Sequence, residues 1–122
     1  MSRLFVYLVV AIFCITKTLA QSESFYFIQL SDPQFGMLEK NKSFSQETMI
    51  MEKVIAAINN LNPAFVVITG DMVNDGKDQK QIDEFKRVCK LIKKSIPVYV
   101  LPGNHDLSQQ CTDESISNYM DE

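Results

Sequence analysis

A chain of 122 residues is the size of one ordinary domain, long enough to bury a core and too short for two. Its 46% apolar and 22% charged residues are average for a folded protein, which excludes disordered and collagen-like classes. A formal charge of −3 supplies no polybasic patch, so nucleic acid is not an expected partner.

The first twenty residues stand apart. Met1-Ser2-Arg3 is a short basic start, Leu4 to Ile15 is an unbroken apolar run, and Thr18-Leu19-Ala20 fits the −3 and −1 positions of a signal peptidase site. This reads as a secretory signal peptide cleaved after Ala20, leaving residues 21–122 as the domain and a secreted or extracytoplasmic location. The twelve apolar residues fall short of the roughly 20 a spanning helix needs, so no stable membrane anchor is expected. Bulky Phe13 before Cys14 argues against a lipoprotein signal. Cleavage removes two of the 12 basic residues and none of the 15 acidic ones, taking the net charge to about −5.

After a polar lead, Phe25 to Leu30 reads as a strand, apolar on both faces as a strand covered on both sides would be. Pro33 ends it. Ser43 and Gln46 have the spacing of a capping box for a helix running to about Asn60. Ile50, Val54, Ile58 and Leu61 form its predicted buried stripe, with Ile55 beside it, and Asn62-Pro63 stops it. Ala64 to Thr69 is the second strand and runs into Gly70-Asp71. A second helix is predicted from about Asp78 to Lys94, burying Ile82, Phe85, Cys89 and Ile92. The basic residues crowding its latter half are a solvated face favourably placed on the helix dipole. Pro97 to Leu101 is the third strand, and Asp106 to Glu122 has no clear core face, being loop or weak helix. Strand, helix, strand, helix, strand with short connections predicts an α/β fold with a parallel sheet.

Of the three cysteines, Cys14 leaves with the signal. Cys89 and Cys111 could pair, or Cys89 could remain a buried free thiol. No Cys-x-x-Cys spacing supports a zinc ribbon or a thioredoxin-like site. Asn41-Lys42-Ser43 is an N-glycosylation sequon in the loop after the first strand.

In an open parallel sheet, ligands collect beyond the carboxyl ends of the strands. Those ends carry Asp32-Pro33-Gln34, Gly70-Asp71-Met72-Val73-Asn74 and Gly103-Asn104-His105-Asp106. Carboxylates, amides and an imidazole together suit divalent first-row metals. The three segments resemble the first three blocks of the calcineurin-like metallophosphoesterases, D-x-H, GDxx(D/N) and GNH(D/E), in the same order and at comparable spacings. The run from Phe25 to Gly36 is most similar to the subgroup of calcineurin-like phosphoesterase domain-containing proteins.

The resemblance implies the β-α-β-α-β part of a four-layer α/β/β/α sandwich. It also implies hydrolysis of a phosphorylated substrate with two divalent ions, iron, manganese or zinc. Asp32 and Gln34 would bind the first metal, Asp71 would bridge both, and Asn104 would bind the second. His105 would be the catalytic proton donor, and Asn74 matches the position that orients it. Bound metal would bring the positive charge that an acidic protein needs to meet a phosphate.

Two departures from the family pattern stand out. Gln34 replaces the first-block histidine, and an amide oxygen binds metal more weakly than imidazole. His105 is the only histidine, so later-block histidines are absent. The chain is therefore expected to be an N-terminal portion (a fragment, a truncated gene model or a short isoform) that alone binds metal poorly and turns over little. The alternative function is a non-catalytic binding protein that keeps the fold without a complete metal site. A doubly wound nucleotide-binding domain lacks support, because there is no Gly-x-Gly-x-x-Gly loop and no Walker lysine.

Overall fold

The computed structural model describes residues 24–107, 109 and 112–120. The expected signal peptide, residues 1–20, and Cys111 lie outside the described residues. Strands β1 (Ile28–Ser31), β2 (Val66–Gly70) and β3 (Val98–Pro102) alternate with helices α1 (Ser45–Leu61) and α2 (Gln79–Cys89), and α3 (Asp113–Met120) follows. The sheet order is β1-β2-β3 with both pairs parallel, as the β-α-β-α-β order requires. Among the described residues no helix is long and apolar enough to cross a membrane.

The register aligns Ile28, Val66 and Val98 in one row and Leu30, Ile68 and Val100 in another. Most of these residues join the core, which Phe35, Met51, Ile55, Ile58, Phe85 and Val88 fill from the helix side. The intervening row of Gln29, Val67 and Tyr99 lies on the opposite face, because side chains alternate along a strand. That face is open. Phe27 and Tyr99 remain 51% and 57% exposed, so the expected cover on both sides of the first strand is not present in these residues. Phe27 stacks on Phe65 at 4.9 Å, and Tyr99 meets the same ring edge-on at 5.9 Å. The ladder itself begins at Ile28, not at Phe25.

Helix α1 starts at Ser45 and does not form the expected capping box. Ser43 Oγ accepts from Ser45 N at 3.1 Å, while the Gln46 amide is drawn away to Glu39 Oε1 at 3.0 Å. Its buried face is Glu47, Met51, Ile55 and Ile58, one position round from the expected stripe, and Ile50 and Leu61 are exposed. Both sets satisfy helical spacing. The Leu38 N–H, which Glu47 Oε1 accepts at 2.8 Å, anchors the observed face inward. At the other end Asn62 adopts a left-handed φ of 53° and returns its N–H to Ile58 O, and Pro63 prevents continuation.

Asp78 caps α2 by accepting from Lys80 N. The helix ends at Cys89, short of the expected Lys94. Asn59 of α1 donates to Leu91 O and accepts from Lys93 N, both at 2.9 Å, diverting those backbone groups from the helical ladder. Gln81, Ile82, Phe85 and Val88 are buried; Cys89 is only half-buried. Cys89 carries a free thiol, and burial pushes its pKa up to about 12. The last segment is the helix α3, whose described side chains are exposed.

Candidate functional site

Pairing between the first two chain segments continues beyond the sheet. Gln34 N donates to Asp71 O and Phe35 N to Met72 O, each at 3.0 Å, and Asn74 N returns to Phe35 O at 2.9 Å. The two post-strand loops therefore run side by side, anchored by Phe35, which is fully buried and edge-on to Phe85. Asp32 and Gln34 take left-handed φ values of 51° and 37°, uncommon for residues with a Cβ and enriched at functional turns.

Asp32 and Asp71 are brought together: Asp71 N donates to Asp32 Oδ1 at 3.1 Å. The Ser31 hydroxyl also donates to the Asp32 carboxylate. Those two bonds, the hydroxyl first, hold its pKa below the ordinary value against a small opposing effect of burial. Asp71 is buried, and its Oδ1 accepts from His105 N at 2.9 Å, which ties the third loop to the second. Two glycines make room for these carboxylates. A Cβ on Gly70 would lie 2.7 Å from Asp32 Cγ, and one on Gly103 would lie 2.8 Å from Asp71 N. At Gly70 the φ of 80° adds a second reason for glycine.

The His105 ring meets the loop of β2 through Nδ1, 2.7 Å from the main-chain oxygen of Asn74. Orientation thus comes from the Asn74 carbonyl, not from the amide that its position in the motif suggested. The Asn74 amide instead accepts from Gln34 Nε2 at 3.4 Å and donates to Asn41 Oδ1 at 2.7 Å. Asn104 is exposed on the same rim and shares no hydrogen bond with Asp32 or Asp71 among the described residues.

Asp106 has a structural part that the sequence reading gave it no credit for. Its carboxylate accepts from Met72 N at 3.0 Å, Val73 N at 3.1 Å and Gly103 N at 2.9 Å, clamping two loops. Burial raises its pKa, and these three N–H groups pull in the other direction. Asn41 and buried Gln81 were also missed; both sit in the polar network behind Asn74. Beside the rim, a groove between the Asp32–Gln34 turn and α1 has Leu30, Met51, Val54 and Glu47 among its walls.

The residues present fit part of a divalent-metal site. Two adjacent carboxylates with space kept clear by glycines, plus amides and an imidazole on the same rim, form an oxygen-rich borderline-hard donor set. No three His, Cys, Asp or Glu side chains gather to hold an ion among the described residues.

A parallel α/β unit with carboxylates at the carboxyl ends of its strands is a scaffold that many hydrolase families share, and the comparisons specify which family this is. The family profile for calcineurin-like phosphoesterases matches residues 25–121, and the chain belongs to that family. It is 33% identical over 110 residues to the serine/threonine-protein phosphatase CPPED1 of Homo sapiens, covering 78% of this chain and 35% of that protein. The Danio rerio protein of the same name is 29% identical over 116 residues, covering 83% and 38%. A protein from Arcobacter nitrofigilis named probable glycerophosphodiester phosphodiesterase GpdQ is 36% identical over 84 residues, covering 65% and 29%. The chain spans about a third of the length of the curated relatives it matches. No solved structure matches it.

Proposed function

We propose that the protein is a metal-dependent phosphoester hydrolase of the phosphatase or phosphodiesterase class, and that this segment contributes the first half of its site. One observation carries the reading: Asp71 is bonded both to Asp32 through its N–H and to the His105 loop through its carboxylate, so three motif segments meet at one rim. Asp32 and Gln34 would hold one divalent ion, Asn104 a second, and Asp71 both. Iron, manganese and zinc suit these donors. When bound, such ions neutralise phosphate oxygens and acidify a water.

The remaining chemistry belongs to the chain itself. The hydrogen bonds from the Ser31 hydroxyl and Asp71 N favour the Asp32 carboxylate anion, the form that would ligate. Gly70 and Gly103 leave room for the Asp32 and Asp71 side chains to take their places at the rim. Because a carbonyl can only accept, His105 Nδ1 carries the proton shared with Asn74 O, and Nε2 is the nitrogen left to take up a proton and, as imidazolium, pass it to the departing oxygen. The substrate is a phosphorylated molecule, and the secreted setting implied by residues 1–20 makes it an extracytoplasmic one.

The test is manganese-stimulated turnover of p-nitrophenyl phosphate by the protein extended through the rest of its phosphoesterase domain. Asp71→Asn is expected to lower kcat by about a hundredfold, consistent with loss of one essential charge-stabilising group. Equal rates would overturn the proposal. A second reading, a binding protein without catalysis, is favoured by one detail: Gln34 offers a weakly ligating amide oxygen where the family pattern has an imidazole. Metal analysis of the extended protein after manganese loading separates the two, since a binding protein would retain no ion.

A further inference from the structure

Every polar atom of Asn74 has a partner. Its N–H is shared by Phe35 O at 2.9 Å and Gln81 Oε1 at 3.1 Å; its side chain bonds Gln34 and Asn41; its carbonyl meets His105 Nδ1 at 2.7 Å. The residues behind it are equally committed. Gln81 has no solvent exposure, and its oxygen also accepts from Asp75 N at 3.0 Å. Its nitrogen gives to Asn41 Oδ1 at 3.1 Å and Asp78 Oδ2 at 3.2 Å. Asn41 Oδ1 thus receives donors from two different elements, Asn74 of the loop and Gln81 of α2.

The backbone is shaped to make this junction. Asn41 sits at a left-handed φ of 63° with its N–H on Gly36 O at 2.8 Å. A Cβ on Gly36 would lie 2.6 Å from Gln81 Nε2, so only glycine leaves the amide in place. Gln81 is the buried anchor of this set, Asn74 is half-buried and Asn41 closes it from the exposed side, and linked amides of this kind specify one geometry more firmly than any single bond would.

We infer that Asn41 and Gln81 are positioning residues for His105, holding the Asn74 carbonyl that fixes which imidazole nitrogen faces the reacting phosphoester. The role in hydrolysis rests on the function proposed above, whereas the fixed ring does not, and the experiment reads them separately. Asn41→Gly keeps the left-handed backbone and deletes the acceptor oxygen, while Asn41→Asp keeps that oxygen. Both remove the Asn41-Lys42-Ser43 sequon, so a difference between them cannot come from a glycan.

His105 is the only histidine, so long-range proton–nitrogen correlation of the metal-free chain, labelled with 15N-histidine, reads this ring alone. The wild-type chain and Asn41→Asp are expected to show the Nδ1–H tautomer alone, and Asn41→Gly to admit at least about a fifth of the Nε2–H form. An Nε2–H ring in the wild-type chain, or an Asn41→Gly spectrum identical to wild type, would overturn the inference. In the extended protein, Asn41→Gly should lose about tenfold in kcat on phenyl phosphate but only about threefold on p-nitrophenyl phosphate, because the poorer leaving group depends more on proton donation. KM should hold within about twofold and Asn41→Asp should recover the loss. Equal losses on the two substrates would mark the brace as structural only and overturn its catalytic role. A fixed tautomer with no turnover by the wild-type protein would instead defeat the phosphoesterase reading, and the catalytic half of the inference with it.

Discussion

At the carboxyl rim of the sheet, backbone and side-chain groups from Asp71 to Asp75 are bonded to partners on three other segments. Across the open face of the same sheet, Phe25, Phe27 and Tyr99 lie exposed around one ring, Phe65. The rim is held by directional bonds, each with one right answer, and the face by ring contacts that tolerate sliding. Substitutions in the two regions should therefore differ in kind as well as in size.

The largest effect is expected at the rim. Asp106→Ala leaves the N–H groups of Met72, Val73 and Gly103 without their acceptor, and should cost about 3 kcal/mol in urea unfolding. A loss below about 1 kcal/mol would show that water replaces the carboxylate freely and would break the contrast. Phe65→Ala on the open face should cost less, about 1.5 kcal/mol, and should leave the His105 ring signal unmoved. Glu47 is the rim's exception: one oxygen holds Leu38 N and the other is buried with no partner. Glu47→Gln keeps the first contact and removes a buried charge, so a gain of about 1 kcal/mol is expected despite some loss of favourable dipole at the start of α1.

The smallest effect lies away from both regions. Arg87 reaches Glu84 and Glu52, and together with Thr48 it holds the Glu84 carboxyl below its ordinary pKa. A lowered carboxylate stabilises above its unfolded pKa and loses that contribution as pH falls through the folded value. Because Arg87 is half-exposed, Glu84→Gln should change stability by no more than about 0.5 kcal/mol at neutral pH and by nothing once the carboxylate is protonated.

Much of the framework was legible in the sequence because local pattern dictates it. β-branched Val66, Val67 and Ile68 marked a central strand, Asn62-Pro63 a helix stop, and the three strand ends the rim itself. The facing of α1 was not legible, since Ile50 and Met51 are both apolar and only a distant N–H, that of Leu38, chooses between them. The brace behind His105 was equally invisible: Asn41, Asn74 and Gln81 are polar residues with no periodicity, joined only by the fold. The partial exception is the left-handed turn at Lys40-Asn41, since Asn tolerates that backbone better than most residues. The expected two-sided cover of β1 failed because an apolar run reports what a strand prefers to touch, not what lies within these residues.

The register has a consequence for how the chain acquires its shape. Ile28 meets Val66, and Val66 meets Val98, so each pairing joins segments separated by an entire helical crossover. No neighbouring strands can zip together from a tight turn, and loop closure must precede any reward from the ladder. Folding should thus be slow for so small a sheet, with β2 committed to β1 before β3 exists to flank it as the chain leaves the ribosome. In the folded chain the ring of Phe65 takes Phe25 and Phe27 from the first segment and Tyr99 from the last, so the aromatic face is complete only once all three strands are paired, and until then it is exposed apolar surface of the kind that aggregates.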